Sequence, residues 1–143
     1  MPATLLYTHP SGGQLWQGGA YQIDKLQRIA SLNRVIYLAE EFSPRDHISF
    51  RKNRGEEHPE KFSFAQTFIP LEDSLEIKNL RSKLSQIEMT ALFASHEIRR
   101  GKRVLSSCWA GRNRSGLMSA LILKNLLDLP MTAIVQEIQR LRE

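Results

Sequence analysis

A strand, a polar loop and a helix follow one another in the stretch RVLSSCWAGRNRSGLMSALILKNLL, residues 103–127. Its opening residues form a short apolar strand pattern, and residues 115–127 are apolar almost all round, which is typical of a buried helix. Between them lie the only cysteine, Cys108, and two arginines. Arg112 and Arg114 stand where the helix begins, although the positively polarised start of a helix ordinarily prefers acidic residues. The pattern therefore predicts that an external anion binds at this loop.

The elements upstream of this stretch alternate between strand and helix. Strands are predicted at QLWQGGAYQ (14–22, with Gly18-Gly19 as a break), RVIYLA (34–39) and FAQTFIP (64–70), and helices over 75–98, as one helix or two, and after Pro130. Residues 43–62 are polar and mixed in charge, so we predict a surface loop there. The alternation predicts an α/β fold, a central mostly parallel sheet flanked by helices, in a single domain over residues 1–143. Ligands of such sheets gather at the carboxyl ends of strands, where the polar loop lies.

Composition and charge narrow the class of protein. Hydrophobic residues make up 41% of the chain and charged residues 24%, as in soluble globular proteins. The most apolar run, LMSALILKNLLDLP, is broken by Lys124 and Asp128, so we expect no membrane span. The N-terminus has no secretory pattern, and one cysteine cannot form an internal disulfide, which together predict a cytoplasmic protein. The net charge of +5 favours anionic partners.

The residue types of the polar loop suit a tetrahedral dianion. We expect its backbone N–H groups to point inward around the anion, from Trp109, Ala110, Gly111, Arg112, Asn113 and Arg114. Gly111 allows a close backbone approach, and the planar fork of Arg114 can hold two phosphate oxygens at once. Cations and a helix N-terminus favour the thiolate form of a cysteine. Cys108 is therefore predicted to attack phosphorus, and Ser115 to hydrogen-bond the sulfur when it leaves.

The loop resembles a known family. Cys108, five intervening residues and Arg114-Ser115 match the C-x5-R-[ST] phosphate loop of the protein tyrosine phosphatase superfamily. The stretch GKRVLSSCWAGRNRSGL is similar to the dual-specificity branch, in which the cysteine lies late in the chain. The resemblance implies a dual-specificity phosphatase-like fold and a cysteinyl-phosphate intermediate, with no cofactor. It also implies phosphorylated proteins as substrates, at tyrosine and at serine or threonine. The four histidines show no metal-ligand spacing, so we predict no metal site.

The resemblance extends upstream of the loop. Family members carry a general acid in a phrase like FIPLEDSLEI, which implies this role for Asp73, 35 positions before Cys108. LWQGGAYQ resembles the family's opening strand, so the likeness spans most of residues 14–142. Asp73 has a structural alternative, because with Glu76 three residues later it also forms a capping-box pattern. Glu72 is the substitute for the acid if Asp73 caps the helix.

Two departures leave the substrate and the activity open. Ser107 stands where the family usually has a histidine that helps to set the loop. Asn113, within C-x-x-G-x-N-R-[ST]-G, resembles a subset of the family that includes RNA 5′-triphosphatases. The alternatives to a protein phosphatase are therefore a triphosphatase acting on RNA 5′ ends and a phosphate-binding module without turnover.

Several loop residues also have purely structural interpretations. A lone cysteine is often a small buried hydrophobe, so Cys108 is interpreted as a nucleophile only because of its neighbours. The Arg112 side chain either faces the anion or points outward. Trp109 lines the pocket or fills the core, and Ser115 is also a suitable helix N-cap.

Overall fold

The computed structural model describes residues 3–74 and 76–142. Within these residues five strands form one sheet; they are β1 (Thr4–Thr8), β2 (Gln14–Gly19), β3 (Arg34–Ala39), β4 (Ala65–Leu71) and β5 (Arg103–Cys108). Their order across the sheet is β1-β2-β5-β3-β4. β1 is antiparallel to β2, whereas the pairs β2–β5, β5–β3 and β3–β4 are all parallel. The predicted α/β fold with a mostly parallel sheet is confirmed.

Helices pack against this sheet and against one another. They are α1 (Ile23–Ala30), α2 (Pro44–Asn53), α3 (Ile77–Arg99), α4 (Asn113–Leu126) and α5 (Met131–Arg142). The long helical pattern predicted over 75–98 is one helix, and its predicted first residue, Leu75, lies outside the described residues. The helix ends at Arg99, and Gly101 follows with φ of +85°, the left-handed conformation that glycine commonly adopts after a helix.

The core lies around the central strands β3 and β5. Val35, Ile36, Val104 and Leu105 have no exposed surface. Strands that are covered on both faces carry continuous apolar runs rather than alternation, which is why these two strands were recognisable in the sequence. Because β2, β3, β4 and β5 are parallel, the segments that follow them all leave from the same edge of the sheet.

The prediction of a surface loop over residues 43–62 is wrong, because Pro44–Asn53 form α2. Ser43 caps this helix, since its Oγ accepts a hydrogen bond from the Asp46 N–H at 3.2 Å. The Asp46 carboxylate in turn accepts one from the Ser43 N–H at 2.8 Å. This is a capping box followed by proline at the first helical position, a local start signal that the polar composition concealed.

The buried face of α2 is polar, which explains why no apolar periodicity marked it. His47 Nε2 lies 3.0 Å from Asp24 Oδ1 of α1, and Arg51 Nη2 lies 2.6 Å from the same oxygen. Burial raises the pKa of the Asp24 carboxyl, but hydrogen bonds from His47 and Arg51 outweigh burial and hold this pKa well below its usual range. Hydrogen bonds and ion pairs to Asp24 therefore help to hold α2 against α1.

Among the described residues, no helix combines the length and the apolar character that crossing a membrane requires.

Candidate active site

Cys108 ends β5 and lies at the base of the predicted phosphate loop. It is 4% exposed, and its Sγ lies 3.2 Å from the Oγ of Ser115, which is fully buried. Ser115 is not the N-cap of α4, because the helix begins at Asn113 and Arg112 occupies the cap position. Arg112 makes no capping side-chain hydrogen bond. Because the cap residue offers no acceptor, the first-turn N–H groups suit an external anion.

The loop between β5 and α4 rests directly on β2. A Cβ atom at Gly111, whose φ is +74°, would lie 2.5 Å from the carbonyl carbon of Gly18. A Cβ atom at Gly19 would lie 2.7 Å from the carbonyl oxygen of Trp109. The Ala20 N–H donates to that same oxygen at 3.2 Å. Gly18-Gly19, predicted as a break, thus belongs to a strand that supports the loop by close backbone contact.

Arg114 brings a buried positive charge to the same edge of the sheet. It is 2% exposed, and its Nη1 donates to Glu41 Oε1 at 2.5 Å and to the Leu71 carbonyl oxygen at 3.0 Å. Its Nη2 donates to Glu41 Oε2 at 3.2 Å, and its buried Nε has no partner among the described residues. Burial alone would lower the pKa of Arg114, but the hydrogen bond and charge of Glu41 raise it above its ordinary value. The guanidinium therefore stays charged.

Glu41 is a site residue that the sequence analysis missed. It lies two residues beyond β3, and its side chain is 43% exposed. The hydrogen bond from Arg114 lowers the pKa of Glu41 and outweighs the opposing effect of burial. The available signal was a pair of glutamates, Glu40 and Glu41, directly after a buried strand parallel to β5.

Asp73 lies in the turn after β4, with its carboxylate towards Arg114. Its Oδ1 is 3.6 Å from Arg114 Nη2, and its side chain is 78% exposed. α3 begins only at Ile77, with Glu76 in the cap position, so the capping role considered for Asp73 is wrong. The Glu72 carboxylate is engaged with α3 instead, since its Oε2 accepts a hydrogen bond from Asn79 Nδ2 at 2.6 Å.

Aromatic rings form one side of the loop. Trp109 is 41% exposed, so it does not fill the core, and its ring centroid lies 5.1 Å from that of Tyr21, which is 56% exposed. Tyr21 also contacts Phe50 at 5.1 Å, and Phe42 lies 6.3 Å from Trp109. We call Tyr21, Phe42, Phe50 and Trp109 the aromatic rim.

The remaining loop positions are partly outward-facing. Ala110, Arg112 and Asn113 are exposed, and no described carboxylate forms an ion pair with Arg112. Arg112 and Arg142 of α5 line the same pocket. Burial, followed by the charge of Arg112, lowers the pKa of Arg142. Ser107 is 2% exposed in β5, opposite Gly18 of β2.

Over residues 3–74 and 76–142, no group of three histidine, cysteine, aspartate or glutamate side chains is placed to hold a metal ion.

Comparison with solved structures identifies the fold. Human DUSP28 superposes with a TM-score of 0.69 at 18% identity, over 97% of this chain and 81% of that one. DUSP15 gives 0.68 at 14% identity, over 96% and 76% of the two chains. The PTP-2 phosphatase of Cydia pomonella gives 0.68 at 18% identity, over 99% and 80%. The chain therefore has the dual-specificity phosphatase-like fold that its loop predicted.

Comparison at the level of sequence found no match, either to a protein-family model or to a curated protein sequence. At such low identities structural similarity establishes the fold alone, and function has to follow from the side chains of the site.

Proposed function

We propose that this protein is a cysteine-dependent phosphatase that hydrolyses phosphate monoesters, with phosphotyrosine and other phosphorylated side chains of proteins as its substrates. One observation carries the proposal: a sulfur, a guanidinium and a carboxylate converge on one edge of the sheet. Cys108 Sγ lies 3.2 Å from Ser115 Oγ, and Arg114, on the same turn of α4, lies 3.6 Å from the Asp73 carboxylate.

In the first step the Cys108 thiolate attacks phosphorus in line with the leaving oxygen. The S–P bond forms while the P–O bond to the substrate breaks, and protonated Asp73 donates its proton to the leaving oxygen. The negative charge on the phosphoryl oxygens is met by Arg114 and the loop N–H groups.

In the second step water hydrolyses the cysteinyl phosphate. The Asp73 carboxylate takes a proton from water, whose oxygen attacks phosphorus, and the S–P bond breaks with its electron pair returning to sulfur. The Ser115 hydroxyl, 3.2 Å from that sulfur, donates a hydrogen bond to the departing thiolate. Every step uses protein groups and water, so the proposed chemistry needs no metal ion.

The aromatic rim favours the binding of aryl phosphates as substrates. Trp109 directly follows the nucleophile, and the exposed faces of Trp109 and Tyr21 can contact the ring of a phosphotyrosine whose phosphate sits in the loop. Offset and edge-to-face ring contacts contribute about 0.5–1.5 kcal/mol beyond the area that they bury.

A substrate panel tests the proposal. Purified protein is assayed in EDTA with p-nitrophenyl phosphate, phosphotyrosine and phosphoserine peptides, and RNA bearing a 5′-triphosphate. We expect vanadate-sensitive hydrolysis of the monoesters, fastest for the aryl phosphates. Phosphate release from the RNA alone would replace the proposal with the triphosphatase alternative. Inertness towards all substrates, with tungstate still bound, would indicate a phosphate-binding module.

Replacing Asp73 with asparagine should impair poor leaving groups selectively. We expect kcat/KM for a phosphoserine peptide to fall by about 10²–10³-fold, the usual contribution of a general acid. The fall for p-nitrophenyl phosphate should be much smaller, because that leaving group hardly needs a proton. Glu72→Gln is the matched control, since Glu72 is engaged with Asn79. Selective impairment of the Glu72 variant would move the acid role to that residue.

Replacing Glu41 with glutamine should weaken the hydrogen bonds that fix the position of the Arg114 guanidinium. Because the Arg114 hydrogen bond lowers the pKa of Glu41, the pair is present at neutral pH and is lost only as pH falls through that lowered pKa. We expect kcat/KM for p-nitrophenyl phosphate to fall by roughly tenfold, since charge-assisted bidentate pairs fix geometry as well as charge. Glu40→Gln, an exposed neighbour, is the control. A rise in activity would mean that Glu41 only competes with substrate for the fork.

A further inference from the structure

Two buried side chains behind the phosphate loop hydrogen-bond to its backbone carbonyl groups. Gln17 of β2 and Ser106 of β5 are cross-strand neighbours, exposed by 2% and 0%. Gln17 Nε2 donates to the carbonyl oxygen of Gly111 at 2.9 Å and to that of Arg112 at 3.4 Å. Ser106 Oγ donates to the carbonyl oxygen of Ser115 at 2.9 Å.

These contacts determine which way the loop amides face. In a trans peptide the C=O and the following N–H point in opposite directions. The Arg112 carbonyl oxygen also accepts a hydrogen bond from the Gly116 N–H of α4 at 2.8 Å, so the peptide that depends on Gln17 is the one after Gly111. When Gln17 draws the carbonyl group of Gly111 towards β2, the N–H group of Arg112 turns to the opposite side. We infer that Gln17 is a positioning residue, which sets the oxyanion-binding orientation of the phosphate loop through the carbonyl group of Gly111. Its effect on catalysis rests on the proposed function, whereas its effect on oxyanion binding does not.

The state of the Gln17 amide supports this role. Its Oε1 is buried and has no hydrogen-bond partner among the described residues, so only the donor half of the amide is used. A buried acceptor without a partner is unfavourable, and an apolar side chain in this core strand would avoid it. The Gly111 carbonyl group gives the reason for a buried amide, because without Gln17 it would lose its side-chain donor.

The test compares Gln17→Met, which keeps the length but removes the donor, with Gln14→Met at the start of the same strand. Gln14 accepts a hydrogen bond from Trp16 Nε1 and does not touch the loop. Tungstate affinity is measured by calorimetry, and kcat/KM with p-nitrophenyl phosphate. We expect the Gln17 variant to lose about 10- to 100-fold in both quantities, as for a buried acceptor left without its donor. The Gln14 variant should lose neither.

Gln17→Glu gives a second comparison within one folded variant. A carboxylate repels the loop carbonyl oxygens, whereas a protonated carboxyl can donate to Gly111 again. Burial raises a carboxyl pKa, so the protonated form gains as pH falls from 7.5 to 5. We expect the deficit in tungstate affinity relative to unmodified protein, measured at each pH, to shrink by about tenfold over this range. Gln17→Met, which carries no titratable group at this position, should show a constant deficit over the same range.

The outcomes separate this inference from the proposed function. Tungstate binding without hydrolysis by the unmodified protein would remove the proposed function but leave the Gln17 test intact. Equal tungstate affinity in unmodified protein and Gln17→Met would overturn the inference even if both hydrolyse p-nitrophenyl phosphate. No tungstate binding by unmodified protein would overturn the inference as well.

Discussion

Serine in place of Cys108 is expected to abolish hydrolysis of p-nitrophenyl phosphate while leaving the fold and tungstate binding in place. A hydroxyl at this position remains protonated at neutral pH and cannot replace the thiolate as the nucleophile. The loss in kcat should approach about 10⁶-fold, the size seen when the nucleophile of another covalent mechanism is removed. Hydrolysis is measured at a high concentration of the variant, and the fold is checked by circular dichroism.

The single cysteine supplies an independent check on the same prediction. Cys108 is the only thiol in the chain, so one carbamidomethyl group per chain, counted by mass spectrometry, should accompany complete loss of activity. Vanadate should protect the thiol, because an oxyanion in the loop covers the sulfur. Full activity after stoichiometric alkylation would exclude Cys108 as the nucleophile.

Lysine in place of Arg114 is expected to have the next largest effect. The guanidinium uses both Nη atoms at once, on the Glu41 carboxylate and the Leu71 carbonyl oxygen. Lysine keeps the charge but has no planar fork. We expect kcat/KM to fall by about 10³-fold, the scale on which loss of a preorganised oxyanion donor acts. The free energy of unfolding should fall by about 1–3 kcal/mol, because buried polar groups lose partners.

Arg112→Lys is the matched control for this substitution. Arg112 lies two residues away in the same loop, but it is exposed and has no described ion-pair partner. Its substitution should change kcat/KM little if only its backbone N–H faces the anion. An Arg112 effect as large as that of Arg114 would assign phosphate binding to the Arg112 side chain, and an unchanged Arg114→Lys variant would contradict the proposed role of the fork.

The polar composition of residues 43–62 shows where sequence patterns fail. Their helix is held by pairing of His47 and Arg51 with Asp24, from a segment more than twenty residues earlier. Hydrophobic periodicity detects burial of apolar surface, so a helix that buries charged groups against a distant partner gives no such signal. The capping box at Ser43 and the proline that follows it were the local signs of this helix.

The sequence by itself determined the strand, loop and helix around Cys108, because residues 103–127 are contiguous and their apolar runs and glycine act locally. The same contiguity determined which residues of the loop lie near one another. Only the tertiary structure decided which residues from elsewhere in the chain meet this loop. Gln17 binds its backbone, and Glu41 and Asp73 pair with Arg114. These three residues follow or belong to other strands, and parallel pairing in the sheet, rather than any spacing along the chain, brings them to one edge.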